Sequence, residues 1–205
     1  MAREDAVIVN TLVRQALMSA QEVMGENGLN TVLRTSGLER YIGNFPPDNL
    51  EPAIQTSDYA RLNEVIEDFY GRGGRGMLRR IGKASFQYAV REQAALLGIA
   101  GVALKLLPAK QRIKFILNAL VNALKKSNPQ VEAWVEETGD NFAYCDASCA
   151  ICHGRQSTDP ICHLYIGSIG EAVKWATGQE YKIVETHCTA KGDPHCRFEV
   201  RGLEA

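Results

Sequence analysis

The sequence predicts an α+β fold in which helices pack on a small antiparallel sheet. Three features predict it. Apolar residues recur at helical spacing through most of the first 127 residues. After Ser127-Asn128-Pro129 the pattern changes to short alternating segments separated by turn residues. Helices therefore come first and strands later, an order that suits an α+β domain rather than repeated βαβ units. The 205 residues are expected to form one domain, with a mainly helical part over 1–127 and a Cys-rich sheet part over 128–205. That length buries a core without disulfide staples.

In order, Asp5 to Met24 carries Val9, Leu12, Val13, Ala16, Leu17, Ala20 and Val23 at helical spacing, with Gly25 and Gly28 as stop signals. Leu29 to Arg34 predicts a short second helix. Consecutive prolines make 44–49 a loop. Ser57 is placed to cap a third helix running to about Phe69. The glycine- and arginine-rich run 71–76 lacks the Lys-Ser/Thr ending of a phosphate-binding loop and reads as a connection. Helical patterns resume over Met77 to Leu97 and Leu104 to Lys126. A strand follows near Val131 to Val135, then a turn at Gly139-Asp140-Asn141 and a returning strand over Phe142 to Cys145. The loop 146–159 leads to a helix over Leu164 to Thr177. Two last strands, Tyr181 to Glu185 and Arg197 to Arg201, flank a turn at 191–194.

Composition excludes several classes. A net charge of −1 gives no overall attraction to nucleic acid. The longest apolar stretch, Ala94 to Leu107, is interrupted by Lys105 and too short to span a bilayer, so no transmembrane segment is expected. The N-terminus lacks the pattern of a secretory leader, so the expected location is cytoplasmic, with peripheral membrane association left open. Lys110, Lys114, Lys125 and Lys126 make one helical face basic. That face reads as the solvated side of a core helix or as a docking surface for a protein partner. A homodimer is also compatible with the sequence.

All six cysteines and all four histidines lie between Tyr144 and Val200. Thiols in a reducing compartment point to metal more than to disulfides. Cys162, Glu185, Cys188 and Cys196 offer three thiolates and a carboxylate, a donor set that suits tetrahedral zinc. Residues three apart on a strand face opposite ways, so the strand must bend or end between Glu185 and Cys188 if both bind one ion. Cys145, Cys149 and Cys152 are spaced to hold three irons of a [4Fe–4S] cluster. Cys149-Ala150-Ile151-Cys152-His153 also matches the C-x-x-C-H heme-attachment pattern, although it leaves Cys145 unexplained. A reactive thiol cluster without metal is the remaining reading. The histidines adjoin cysteines and read mostly as neighbours of a site.

The ending GEAVKWATGQEYKIVETHCTAKGDPHCRFEV resembles the 4-vinyl reductase domain, as does FYGRGGRGMLRRIGKASFQYAV between Phe69 and Val90. The resemblance implies a fold similar to a eukaryotic vesicle-tethering subunit, with helices and a small sheet around an apolar pocket. It implies zinc on Cys162, Glu185, Cys188 and Cys196, as in the family's aromatic-responsive sensor domains. The Cys145, Cys149 and Cys152 cluster is similar instead to stand-alone members from photosynthetic bacteria. The function implied is a metal-containing binding protein for a hydrophobic small molecule, a tetrapyrrole or related pigment intermediate, in chlorophyll metabolism or photosystem assembly. An iron–sulfur reductase acting on a bound tetrapyrrole and a zinc-stabilised sensor or scaffold are the competing readings.

Overall fold

The computed structural model describes residues 5–99, 104–139 and 141–202. Asp140, in the expected turn, and residues 100–103 of the long apolar stretch lie outside the described residues. A short strand, β1 (Val7–Val9), opens the chain and pairs antiparallel with β2 (Pro52–Gln55). Between them, α1 (Asn10–Thr35) is broken at Gly25, whose φ of 74° and ψ of 166° are not helical. The expected stop signal is therefore a sharp kink inside one long helical element, allowed because glycine has no Cβ to oppose positive φ.

Next come α2 (Thr56–Tyr70), α3 (Gly74–Glu92), the single turn α4 (Ala94–Leu97) and α5 (Ala109–Ser127). Ser57 does not cap α2. It sits in the first turn, and Asp5 supplies the cap from far upstream. The Asp5 carboxylate accepts the Ser57 N–H at 2.9 Å and the Ser57 hydroxyl at 2.6 Å. The glycine- and arginine-rich run is a short 3₁₀ turn that leads directly into α3. The basic face of α5 is partly committed to the sheet: Lys114 pairs with Glu137 at 2.7 Å, and Lys110 donates to the Gly139 carbonyl at 2.8 Å. Among the described residues, no helix is long and apolar enough to cross a membrane.

The second part contains β3 (Ala133–Thr138), β4 (Asn141–Asp146), α6 (His163–Thr177), β5 (Tyr181–His187) and β6 (Cys196–Gly202). The four strands form an antiparallel sheet in the order β3-β4-β6-β5. Tyr144 pairs with Phe198 and Asp146 with Cys196, so these four side chains share one face. That face meets the helices. Tyr144, Tyr165 and Phe198 form a buried aromatic trio with ring centroids 5.7–6.1 Å apart. The other face carries Trp134, Glu136, Cys145 and Arg197, with Arg197 Nε bonded to Glu136 at 2.9 Å.

Helices α3 and α6 cross backbone to backbone. A Cβ on Gly82 would lie 2.0 Å from the Leu164 carbonyl oxygen, and one on Gly167 would lie 2.0 Å from that of Arg79. Two glycines therefore set the depth at which α6 sits, and with it the position of Cys162 at its N-terminus.

Candidate metal centre and apolar cavity

Five of the six cysteines converge. Cys149 and Cys152 come from the loop after β4, Cys162 from the start of α6, and Cys188 and Cys196 from the two sides of the β5–β6 connection. The Sγ–Sγ separations are 3.6 Å for Cys149–Cys162, 3.4 Å for Cys152–Cys196, and 3.9 Å for both Cys162–Cys188 and Cys162–Cys196. These are far beyond the ~2.05 Å of a disulfide, and all six cysteines are free thiols. Two ligand groups result, Cys149/Cys152/Cys162/Cys196 and Cys162/Glu185/Cys188/Cys196. All members are buried, and within each group the ligand atoms lie within 4.8 Å of one another.

The bend required of β5 is present. Its register with β6 shifts between Glu185 and His187, which turns Glu185 inward and lets the chain leave the strand at Cys188. Glu185 is 7% exposed; its Oε2 accepts the Cys162 N–H at 2.9 Å, and its Oε1 has no partner. Burial, with the charge of the adjacent Cys188, pushes its carboxyl up to about 9. A buried carboxylate oxygen without a donor, surrounded by thiols, fits a site built for a cation.

The thiols give the same indication. Hydrogen bonds from Cys149, Cys162, Cys188 and Cys196 hold Cys152 far below the ordinary thiol value. Burial pushes Cys149 up to about 12 and raises Cys162 as well. The cluster thus favours one negative charge and resists more until a cation compensates them. Further donors face the sulfurs. The Thr189 hydroxyl lies 3.0 Å from Cys152 Sγ, and the Thr189 N–H points to Cys196 Sγ at 3.4 Å. The Thr189 contacts carry no motif; only the closing of the hairpin over the loop reveals them. An open groove walled by 153–158 and 189–194 leads down to Cys149 and Cys152.

Cys145 does not join this centre. It points to the opposite face of β4 and groups with Glu136 and His195. Glu136 is already engaged there by Arg197 and by the Trp134 indole N–H at 3.3 Å, and burial pushes the Cys145 thiol up to about 12. None of the four histidines belongs to either cysteine-rich group. His153 faces Asp5 at 3.7 Å, and His187 stacks on His195 with centroids 6.0 Å apart.

Beside the centre lies an enclosed apolar cavity of about 190 Å³, walled by α1, α3, α4, α5, α6 and β4. Leu12, Phe86, Leu97, Leu120, Tyr144 and Ile169 contribute much of its apolar lining. Polar groups are few. Gln15 bonds the Ser85 hydroxyl at 2.8 Å, and Gln93 donates to the Thr11 hydroxyl at 2.7 Å while its Oε1 has no partner. Asp146 is 2% exposed; burial raises it to about 6, against hydrogen bonds from the Ser148 hydroxyl and N–H.

Residues 147–202 match the family model of the 4-vinyl reductase domain, so the segment that supplies Cys149 to Cys196 is a domain of that family. No curated protein matches the chain. Solved structures do. An oxygen-binding H-NOX domain related to soluble guanylate cyclases, in its oxygen complex, is 14% identical with a TM-score of 0.61, covering 94% of this chain and 93% of its own. The Fe(II) unliganded H-NOX protein from K. algicida is 12% identical with a TM-score of 0.61, covering 97% and 98%. A structure from work probing heme distortion in the H-NOX family is 13% identical with a TM-score of 0.63, covering 96% of each chain.

The architecture of the whole chain is therefore that of H-NOX domains. This corrects the expected likeness to the vesicle-tethering-subunit-like fold. The cause is local. The 4-vinyl reductase motif resides in β5, β6, α6 and the preceding loop, whereas the arrangement of α1 to α5 depends on residues outside it.

Those neighbours are described with heme, and this cavity does not fit a conventionally ligated one. Among the described residues, no histidine, cysteine or methionine lines it, and no arginine or lysine faces it to pair with propionates. Its tyrosines, Tyr59, Tyr144 and Tyr165, are held protonated by burial, with Tyr59 pushed up to about 12.

Proposed function

We propose that this chain is a metal-stabilised binding protein for a hydrophobic small molecule of the tetrapyrrole class, acting as an accessory factor in pigment metabolism or photosystem assembly. The observation that carries the reading is the enclosed apolar cavity with a few polar groups on its wall, the usual make-up of a small-molecule site. The tetrapyrrole class is supported by the H-NOX neighbours, whose descriptions name heme. The wall chemistry narrows the class to a macrocycle that needs no nitrogen or sulfur axial ligand, with Gln93 Oε1 placed to accept from a ligand N–H. At about 190 Å³ the cavity is below the ~300 Å³ usual for ligand sites, so binding requires the wall to widen.

Zinc is the metal proposed for the thiolate centre. With Zn–S bonds of ~2.3 Å, tetrahedral geometry sets the sulfurs ~3.8 Å apart, and the Sγ separations lie between 3.4 and 3.9 Å. In a [4Fe–4S] cluster each thiolate binds a different iron and the ligand sulfurs stand farther apart. The donor set therefore favours a binding protein over an iron–sulfur reductase.

The test is a thermal-shift and absorbance titration of metal-replete protein with a metal-free porphyrin, a magnesium porphyrin, hemin and small aromatics such as phenol. The metal-free or magnesium macrocycle should raise Tm and shift its own absorption band; a ligand at ~100 Kd adds ~2.7 kcal/mol. A rise with small aromatics alone would reject the tetrapyrrole class, and no rise with any compound would reject the binding function.

A further inference from the structure

We infer that the thiolate centre is binuclear, holding two divalent ions bridged by Cys162 and Cys196. The inference rests on the proposal that the centre binds metal and specifies how many ions it takes and which residues hold each. Two complete four-residue sets are present, and they share two members. Cys149 and Cys152 complete one set, while Glu185 and Cys188 complete the other. Eight coordination positions around two tetrahedral ions are filled by six residues when two thiolates bridge, and six suitable residues converge here.

One ion cannot satisfy the same atoms. Placed between Cys162, Glu185, Cys188 and Cys196, it leaves the Cys149 and Cys152 sulfurs buried 3.6 Å from Cys162 and 3.4 Å from Cys196 with no cation of their own. Placed among the four cysteines, it leaves Glu185 Oε1 buried without a partner. Cys162 and Cys196, 3.9 Å apart, are the edge common to both sets.

The charges also favour two ions. Fully ionised, the six residues carry six negative charges, which two Zn²⁺ reduce to a net −2. The remainder faces the Thr189 N–H, the Thr189 hydroxyl and the N-terminus of the 15-residue helix α6, which begins at His163, next to Cys162. The open groove above Cys149 and Cys152 supplies an entry path.

The full-length chain, expressed with zinc, should contain two zinc ions and no acid-labile sulfide by elemental analysis and native mass spectrometry. After cadmium exchange, ¹¹³Cd NMR should give two resonances, one in a four-sulfur and one in a three-sulfur environment, coupled to each other through the bridging thiolates. Cys149→Ser and Cys188→Ser should each keep one ion, and Cys145→Ser should keep two. One ion per chain, or two cadmium resonances without mutual coupling, would overturn the binuclear centre while leaving a metal site in place. A metal-free chain would overturn both readings, and iron with sulfide would overturn the zinc assignment. The cadmium experiment needs only the unmodified chain, so a variant that fails to fold does not block the test.

Discussion

Replacing Gly167 with alanine tests how the fold holds the centre. The added Cβ would sit 2.0 Å from the Arg79 carbonyl oxygen, 2.8 Å from its carbon and 2.9 Å from its Cα. All three are backbone atoms of α3, so no rotamer change relieves the clash. Ordinary contact begins near 3.4 Å, so α6 must retreat by more than 1 Å. Overpacking of this kind costs ~1–3 kcal/mol, and a backbone obstacle places it at the upper end. Alanine recovers up to ~1 kcal/mol of helix propensity. A net loss of about 2 kcal/mol corresponds to a Tm lower by ~4–8 °C for a chain of this size. The displaced helix carries Cys162, so zinc should also be lost to a chelator at lower concentration. Gly76→Ala is the control. It lies on the exposed side of α3 with nothing within 4 Å of its Cβ, and it should be neutral or stabilising by up to ~1 kcal/mol. Circular-dichroism melts of the zinc-loaded proteins provide the measurement. A Gly167→Ala melt within about a degree of wild type, against the shift expected from overpacking, would refute the backbone contact as the determinant of α6.

Two further outcomes follow from the cavity. Asp146 has its folded carboxyl raised to about 6, above its ordinary 3.8, so the folded state holds the proton more tightly than the unfolded chain. Its contribution is fully present below about pH 4 and is lost as pH rises to about 6, by up to ~3 kcal/mol at ~1.36 kcal/mol per pH unit. Asp146→Asn should therefore melt higher than wild type at about pH 7 and converge with it near pH 4, and parallel melting curves across that range would contradict the assignment. Ala89→Phe, at a buried position on the cavity wall, should fill the space and abolish any porphyrin-induced Tm shift while leaving the zinc content unchanged; a retained shift would place ligand binding elsewhere.

Much of the fold was legible because periodicity is a local property. The stripes of α2, α3, α5 and α6 and the alternation in β3 to β6 appear in short windows. What failed to appear depended on distant partners. Val7–Val9 reads as the first turn of a helix and becomes a strand only by pairing with Pro52–Gln55, which is too short to show alternation. The cap on α2 comes from Asp5, 52 residues before Ser57. At the centre, the intervals around Cys162, Glu185, Cys188 and Cys196 announced one group correctly, including the need for a bend after Glu185. Cys145 was grouped with Cys149 and Cys152 by proximity in sequence. The pairing of Asp146 with Cys196 decides the matter, because strand parity then turns Cys145 to the outer face while Cys149 and Cys152, past the strand, fold back beneath the sheet.

The centre and the cavity are built from the same pieces, and this has an energetic consequence. Helix α6 supplies Cys162 to the metal set and, within two turns, Leu164, Tyr165 and Ile169 to the cavity wall. The loop after β4 supplies Cys149 and Cys152 to one and Ser148 and Ala150 to the other. Tyr144 lines the cavity and packs on Phe198, two residues from Cys196. Without metal, repulsion among the thiolates and the orphaned Glu185 oxygen loosen both segments, so the wall is no longer held in one arrangement. Ligand affinity should then fall on chelation, and linkage requires ligand to raise metal affinity by the same factor. Typical couplings of ~1–3 kcal/mol give ~5–150-fold. Titrating a metal-free porphyrin into loaded and chelated protein, and zinc into free and porphyrin-saturated protein, measures both sides of that cycle. Equal porphyrin affinities with and without zinc would show that the two sites, despite their shared helix and loop, act independently.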